Sequence, residues 1–426
     1  EFESLAELLI LRAETEIRNG EFEAADRSLS RANRFARTSE SREAHLSAEN
    51  LRGILFKLRK MPEEARSTYE SLLTEARRGG ERLIEAKALN NLGAIDWDSG
   101  ALEQAADEFR RAVTIFERSG NLDHATSARV WLANVALRRG GLVEAEEGYT
   151  KALEVQRLLQ NRPAIAFTRG NLALVRLLSG RLDLALVEAR EALEFSRLVQ
   201  DAERAATAGI ILAECLTQFG RTDEAIHVLQ EVVREAEISE KASFADHASL
   251  LATLVGLRSR SMAKAHLSTR PLSAVTAVCA LQLLIEEESF HRGASSLPAS
   301  WEQEVEEVLT LLDEPTHTGL RLQLEVALAR AHEPASPDAI VRLRHAIDAP
   351  WVLPGCDRYS ALKVLESLLS VQDALTDTDL RESKKILADQ ANLITDPELR
   401  RLYVGARSVS EPGSRSDESS SIEGSH

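Results

Sequence analysis

The stretch ERLIEAKALNNLGAIDWDSGALEQAADEFRRAVTIFERSG, residues 81–120, holds the pattern that decides the fold. Two small residues and one turn residue in this stretch stand at positions that recur six times along the chain, at a spacing of forty residues and without insertion or deletion. The first series of small residues is Ala13, Gly53, Gly93, Ala133, Ala173 and Ala213. The second series is Ala25, Ala65, Ala105, Ala145, Ala185 and Ala225, and the turn series is Gly20, Lys60, Gly100, Gly140, Gly180 and Gly220. Residues 1–240 are therefore six copies of one structural unit.

Each repeat predicts two amphipathic helices joined by a tight turn. In the third repeat these helices cover residues 83–98 and 102–118, where apolar residues follow the three- and four-residue spacing of a helix buried on one face. Five of the six turn residues are glycine, which is typical of a helix that ends in a left-handed cap. Because a single helix pair cannot bury its apolar face, the pairs must stack in series. The sequence predicts an all-α fold, a right-handed superhelical solenoid of antiparallel helix pairs.

The third and fourth repeats also carry a family pattern. It comprises Leu92, Gly93, Gly100, Ala105, Phe109 and Ala112, and then Leu132, Ala133, Gly140, Ala145, Tyr149 and Ala152. This order resembles the signature of the tetratricopeptide repeat, lengthened from the usual unit of about 34 residues. Departures from the family pattern occur at Arg12, Arg52, Lys60 and Ala189. Forty-residue units are similar to those of spindle-orientation adaptors and of sensor regions in bacterial signalling ATPases and kinases, which implies a scaffold that binds other proteins.

Beyond residue 240 the repeat pattern weakens. Nine of the eleven prolines lie there, and because proline disfavours helix interiors we expect shorter helices, including 337–347, 380–393 and a closing helix near 395–402. Residues 247–272 are predicted to form a degenerate seventh unit. We thus predict three regions: repeats at 1–240, degenerate helical repeats and C-terminal capping helices at 241–405, and a disordered Ser/Glu-rich tail at 406–426 that ends in candidate vector residues. Because the chain starts at Glu1 rather than Met, we expect it to be a segment of a longer protein.

Composition and charge narrow the class of protein. Hydrophobic residues make up 44% of the chain and aromatic residues only 4%, with no apolar run near eighteen residues, so we expect a soluble helical protein without a membrane span. A net charge of -16 and the lack of a dense basic cluster argue against direct binding of nucleic acid. Three cysteines, an odd number far apart, argue against a disulfide framework and favour the cytoplasm.

Motifs for catalysis and metal binding do not occur in the sequence. It contains no Gly-rich phosphate loop, no His-Glu-x-x-His, no Gly-x-Ser-x-Gly and no Cys-x-x-Cys. Cys215 falls within a predicted helix, where a packed thiol is expected rather than a nucleophile. We therefore predict that the chain is not an enzyme and uses no cofactor and no metal.

The first helix of each repeat is expected to line the concave groove of the solenoid, where side chains not used in packing can contact a partner. Asparagine offers both a donor and an acceptor to a peptide backbone, and arginine binds carboxylates with two hydrogen bonds. The same polar side chains could instead solvate an exposed face or cap helices, and the tryptophans could pack between helices. The predicted partner-binding residues are Lys87, Asn90, Asn91, Trp97, Arg129, Trp131, Asn134, Arg138, Phe167, Arg169 and Asn171.

Two functions remain open from the sequence. The first is an interaction module that binds a peptide or protein segment in the groove, as the sensor or scaffold part of a larger bacterial signalling protein. The second is a regulatory array that binds a small molecule, or an adjacent kinase or ATPase domain of the same protein. The chain's own C-terminal portion is a further candidate occupant of the groove.

Overall fold

The computed structural model describes residues 2–239, 337–349 and 375–408, with isolated positions between 322 and 369. The chain divides into two compact units, unit 1 comprising residues 1–160 and unit 2 comprising residues 161–426. Unit 1 thus holds repeats 1 to 4, and unit 2 begins with repeats 5 and 6. The predicted seventh unit and the tail beyond Ser408 lie outside the described residues.

Twelve helices follow one another in tandem pairs over the six repeats. In unit 1 they are α1 Phe2–Arg18, α2 Phe22–Thr38, α3 Arg42–Leu58, α4 Pro62–Gly79, α5 Arg82–Asp98, α6 Leu102–Arg118, α7 Leu122–Arg138 and α8 Leu142–Leu158. In unit 2 they are α9 Arg162–Leu178, α10 Leu182–Leu198, α11 Ala202–Gln218 and α12 Thr222–Ile238. The prediction of an all-α solenoid built from helix pairs is confirmed.

The first eleven helices of the repeats end one or two residues before a multiple of twenty, and at that multiple the backbone turns left-handed. The turn residue Gly100 has φ +81°, its amide donates to the carbonyl of Trp97 at 3.1 Å, and the next amide, of Ala101, donates to Asp96 at 2.8 Å. These two bonds satisfy carbonyls that a helix end otherwise leaves unpaired. Lys60 adopts the same conformation with φ 58°, so the turn persists where the series departs from glycine.

The first helices of successive repeats pack against one another as well as against their own partners. In unit 1 these contacts join α1 with α3, α3 with α5, and α5 with α7, and in unit 2 they join α9 with α11. Contacts between successive second helices are weaker. Within each unit the first helices therefore line the inner side, which is where a groove was predicted.

In repeats 2, 3 and 4 the core between the two helices combines a small residue with a large aromatic one. Tyr69, Phe109 and Tyr149 are fully buried on the second helices. Gly53 faces the ring of Tyr69 so closely that an added Cβ would lie 2.4 Å from its Cζ atom. The repeating small residues thus set the distance between the paired helices.

Three ionisable side chains meet at the boundary between repeats 2 and 3. Arg66 of α4 donates to the buried carboxyl of Asp96 on α5, and Glu108 of α6 lies beside that carboxyl. Burial, and next the adjacent Asp96 charge, raise the pKa of Glu108 to about 8. At neutral pH the Glu108–Asp96 pair therefore retains a proton.

We expect Glu108→Gln to remove a pH dependence of the stability of unit 1. Because the folded pKa of Glu108 is raised above its unfolded value, its protonated form stabilises the fold fully below about pH 4.5, and this contribution is lost as the pH rises through about 8. The uncharged glutamine should keep this contribution at high pH. At pH 9 we expect the variant to be more stable than wild type by on the order of 1 kcal/mol, a modest value because the carboxyl is partly open to screening solvent. Urea unfolding at pH 5, 7 and 9 measures this; equal pH profiles for both proteins would contradict it.

Three further helices are described after the repeats: α13 Pro337–Ile347, α14 Asp377–Asn392 and α15 Pro397–Ser408. They confirm the helices predicted over 337–347 and 380–393 and the closing helix, which begins two residues later than predicted. Residues of α14 and α15, with Ile394 between them, belong to the apolar cluster of repeats 5 and 6. None of the described helices combines the length and apolarity needed to cross a bilayer.

Candidate functional site

A pocket of about 250 Å³ opens on the inner side of unit 2, between the first helices α9 and α11. At this place the two first helices leave a space on the side that faces away from their second helices. The residues that line it are Ala166, Phe167, Gly170, Asn171, Asp201, Glu203, Arg204 and Thr207.

The pocket exists because α9 carries a glycine in its interior. A Cβ added at Gly170 would meet no heavy atom within 4 Å, so the position faces open space. The other repeats have Ile10, Asn50, Asn90, Val130 and Ile210 at this position. A helix-interior glycine weakens a helix by roughly 0.5–1 kcal/mol relative to alanine, a cost that no packing requirement explains at this position.

The pocket combines an aromatic wall with polar groups. The guanidinium of Arg204 lies 5.2 Å from the centre of the Phe167 ring and pairs with the carboxylate of Asp201, which caps α11. Asn171 and Thr207 add amide and hydroxyl groups at the rim. This set can receive one apolar or aromatic side chain and hydrogen-bond the backbone around it.

The same helix positions in repeats 3 and 4 form a polar surface in unit 1. Lys87 of α5 is half-buried near His124 of α7, whose pKa is lowered by burial and, secondly, by the Lys87 charge. The Asn91 amide donates to Asn50 at 3.1 Å, so asparagines link two successive first helices. Asn90 has a buried side-chain oxygen that accepts no hydrogen bond from the described residues. Lys87, Asn90 and Asn91 thus lie together on this polar surface.

Trp97 and Trp131 pack against the interior of unit 1. Their rings lie 6.0 Å apart in an edge arrangement, and Trp131 stacks on the buried Phe109 at 5.9 Å. Arg138 lies 4.9 Å above the Trp97 ring and donates to the Trp97 carbonyl at 3.1 Å. Of the two roles left open for the tryptophans, the structure shows packing between helices, with both rings still half-buried rather than enclosed.

Asn134 and Arg129 also have partners within unit 1. The hydroxyl of Tyr149 donates to the side-chain oxygen of Asn134 at 2.5 Å, which joins the two helices of repeat 4. Arg129 forms an ion pair with Glu117 of the preceding second helix. Both side chains link elements of the repeat stack.

Arg169 of unit 2 is buried, with 5% of its surface exposed. Its guanidinium lies 2.6 Å from Glu188 and 2.5 Å from Glu191 on α10, and Arg176 pairs with Glu188 at 3.0 Å. The network joins the two helices of repeat 5 and points away from the pocket. Phe167 and Asn171 are therefore the predicted site residues of unit 2 that line the pocket.

Some residues of the pocket are not among those that the sequence predicts. Gly170, Asp201, Arg204 and Thr207 line the pocket but were not predicted. Gly170 had a visible signal, since it is the only glycine among the six residues at its repeat position. Arg204 had none, because the helix turn that carries it resembles other charged first turns.

The cysteine in α11 has the packed environment that was predicted. Cys215 is fully buried, and burial raises the pKa of its thiol, so the reactive thiolate is disfavoured. Among the described residues no group of three or more His, Cys, Asp or Glu side chains is arranged to hold a metal ion.

Comparisons with known proteins agree with this architecture. Residues 123–198 match the family model of the tetratricopeptide repeat. The structure is similar to a Rap protein complexed with competence and sporulation factor, at 14% identity and a TM-score of 0.50, over 92% of this chain and 99% of that one. It is also similar to the apo form of the quorum sensor NprR from B. thuringiensis, at 12% identity and a TM-score of 0.50, over 82% of this chain and 88% of that one. No curated protein sequence matches the chain. Residues 123–198 therefore carry tetratricopeptide repeats, and the structural likeness shows a shared fold.

Proposed function

We propose that the chain is a non-catalytic interaction module that binds a peptide or protein segment on the inner side of its first helices. The observation that carries the proposal is the pocket of unit 2, where Gly170 leaves space beside the ring of Phe167. An extended segment would place one apolar side chain over Gly170 and hydrogen-bond its backbone to Asn171 and Thr207.

The size of the pocket favours a peptide over a small-molecule effector. Sites for drug-sized ligands enclose about 300–1,000 Å³ and bury most of the ligand. The pocket here is smaller, about 250 Å³, and is open along the helices. Such a space suits a single side chain of a longer ligand.

The polar surface of unit 1 supports the same function by other means. Lys87 and Asn90 lie half-buried on the inner side, where the Lys87 ammonium and the Asn90 amide are groups suited to a carbonyl or carboxylate of a ligand. We propose Lys87, Asn90 and Asn91 as contacts there.

We further propose that the chain is the sensor or scaffold part of a larger cytoplasmic signalling protein. The Rap protein of similar fold forms a complex with competence and sporulation factor, and the NprR protein of similar fold is a quorum sensor. These two cases support a role in which the repeats hold a signal or a partner.

Gly170→Leu tests the peptide-binding function. The leucine side chain should fill the pocket without disturbing the fold, because nothing lies within 4 Å of the added Cβ and leucine favours a helix more than glycine. Peptides selected on the wild-type chain from a randomised displayed library should bind the variant about tenfold or more weakly, measured by fluorescence anisotropy.

Gly405→Leu is the matched control. Gly405 is an exposed helical glycine of α15 whose added Cβ also meets nothing within 4 Å. It should leave peptide affinity unchanged. Failure to select any saturable peptide, or equal affinity for wild type and Gly170→Leu, would refute the proposed function.

A further inference from the structure

A second contact site lies where the helix pairs of repeats 5 and 6 turn, and we call Leu182, Asp183, Phe219 and Gly220 the turn edge. Asp183 is only 4% exposed, although it stands in the first turn of α10. One of its carboxylate oxygens accepts the backbone amide of Thr395 at 2.8 Å, the amide of Asp396 at 3.0 Å and the Thr395 hydroxyl. These donors immediately precede α15.

Asp183 differs from the residues at the equivalent position in the other five repeats. The same position in the other repeats is occupied by exposed residues, namely Glu23, Glu63, Glu103, Val143 and Asp223. Burial alone would raise the pKa of Asp183, but the hydrogen bonds from Thr395 and Asp396 outweigh it, so the pKa is lowered and the carboxylate stays charged. The C-terminal segment therefore recognises one particular repeat.

The ion pairs at other repeat junctions explain why Asp183 can bind the C-terminal segment. At the junction of repeats 1 and 2, Glu23 pairs with Arg59 at 2.8 Å, and at the junction of repeats 3 and 4, Glu103 pairs with Arg139 at 2.8 Å. The corresponding pair at the junction of repeats 5 and 6 would be Asp183 with residue 219. Residue 219 is phenylalanine, so the inter-repeat ion pair is absent there and the helix-preceding amides bind Asp183 instead.

Phe219 also supplies the apolar half of the contact. It is 1% exposed, whereas the equivalent residues Asn19, Arg59, Ser99, Arg139 and Ser179 are polar and more exposed. Phe219 and Leu182 share one buried cluster with Ile394 and Tyr403. A Cβ added at Gly220 would lie 3.0 Å from the Cβ of Ala406, so α15 packs directly over the turn.

We propose that the turn edge is a second docking site, built for the N-terminal turn of a helix, and that α15 occupies it as a tethered and exchangeable ligand. Amides at a helix start bind a carboxylate, and the following apolar residues cover Phe219. A peripheral helix held in this way opens at a lower free energy than the repeats it rests on. When it opens, the turn edge exposes Phe219 and Leu182 to a competing helix with the same features.

The turn edge is independent of the proposed peptide pocket. None of its four residues lines that pocket, which is formed by the opposite halves of α9 and α11. The C-terminal segment is likewise absent from the pocket lining. A failed peptide selection would therefore leave this proposal intact, and the reverse also holds.

Phe219→Arg tests whether α15 binds at the turn edge because Asp183 has no arginine partner there. The arginine should form with Asp183 the ion pair seen at the junctions of repeats 1 and 2 and of repeats 3 and 4, and so displace α15. In the full chain, hydrogen exchange of residues 394–406 should accelerate by about tenfold or more, while α5 stays unchanged. Ser179→Arg is the matched control, since it adds the same side chain at the same position of repeat 5, where the facing residue is not acidic. Equal exchange in Phe219→Arg and wild type would overturn the proposal.

Thr395→Asp tests whether α15 can be exchanged for another helix, since it changes the C-terminal segment and leaves the turn edge intact. The added carboxylate should repel Asp183 and release α15. A labelled synthetic peptide of residues 391–408, with its native threonine, should then bind the Thr395→Asp chain about tenfold or more tightly than wild type, because the tethered competitor is gone. Binding should be lost again in Thr395→Asp with Phe219→Arg. A peptide that binds none of these chains, or all of them equally, would show that α15 is a fixed part of the fold.

Discussion

Arg169→Met is expected to destabilise unit 2 by about 3 kcal/mol, because removing one partner of a buried ion pair leaves the other charge unpaired. The side chains of Arg169 and Glu188 are 6% and 10% exposed. Arg176 still reaches Glu188 at 3.0 Å, which places the expected loss at the lower end of the usual range for such deletions. Urea unfolding followed by helical circular dichroism measures the change.

Two further variants separate the ion pair from other effects. Arg190→Met alters an exposed arginine on α10, the helix that carries Glu188, and should change stability by less than about 0.5 kcal/mol. Combining Arg169→Met with Glu188→Leu should restore much of the loss, since replacing both charges by apolar groups avoids the unpaired carboxylate. A stable Arg169→Met chain that no longer binds selected peptides would instead return Arg169 to the binding role predicted from sequence.

The misjudged direction of Arg169 shows what periodicity can and cannot predict. The forty-residue spacing predicts the helix and its partner, since Ala173 and Ala185 mark the close approach of α9 and α10. A side chain on one turn of a first helix can nevertheless face either the groove or the second helix of the same repeat. Arg169 turns to α10 because Glu188 and Glu191 lie there, a pairing that depends on side-chain charge in another helix.

Two other features, the pocket and the docking of α15, have little signal in the repeat pattern. The pocket arises from a missing side chain at Gly170, whereas a sequence motif is recognised by the groups that its residues contribute. The docking of α15 joins Asp183 to a residue 212 positions later in the chain. Its only sequence signal is the replacement of a polar residue by Phe219 in the repeat series. Single departures from a strict repeat are therefore more informative about contacts than the repeat itself.

The second large effect concerns the small residues that define the repeat. Gly53→Ala is expected to destabilise unit 1 by about 1–3 kcal/mol through overpacking. The new Cβ would lie 2.4 Å from Cζ and 2.5 Å from Cε1 of Tyr69, a fully buried ring. Gly170→Ala provides the opposite control, because its Cβ enters open space and alanine should stabilise the helix by roughly 0.5–1 kcal/mol.

The chain itself indicates which second change should relieve the clash. Repeats 1 and 6 pair alanine with leucine at these two positions, as Ala13 with Leu29 and Ala213 with Leu229. Tyr69→Leu should therefore be less harmful in the presence of Gly53→Ala than alone, with a favourable coupling of about 1 kcal/mol or more in a double-mutant cycle. Additive effects in urea unfolding would mean that the two positions do not determine each other. A favourable coupling would show that repeat 2 sets its interhelical distance by its own residues at these two positions, which is how one fold tolerates different residue pairs in different repeats.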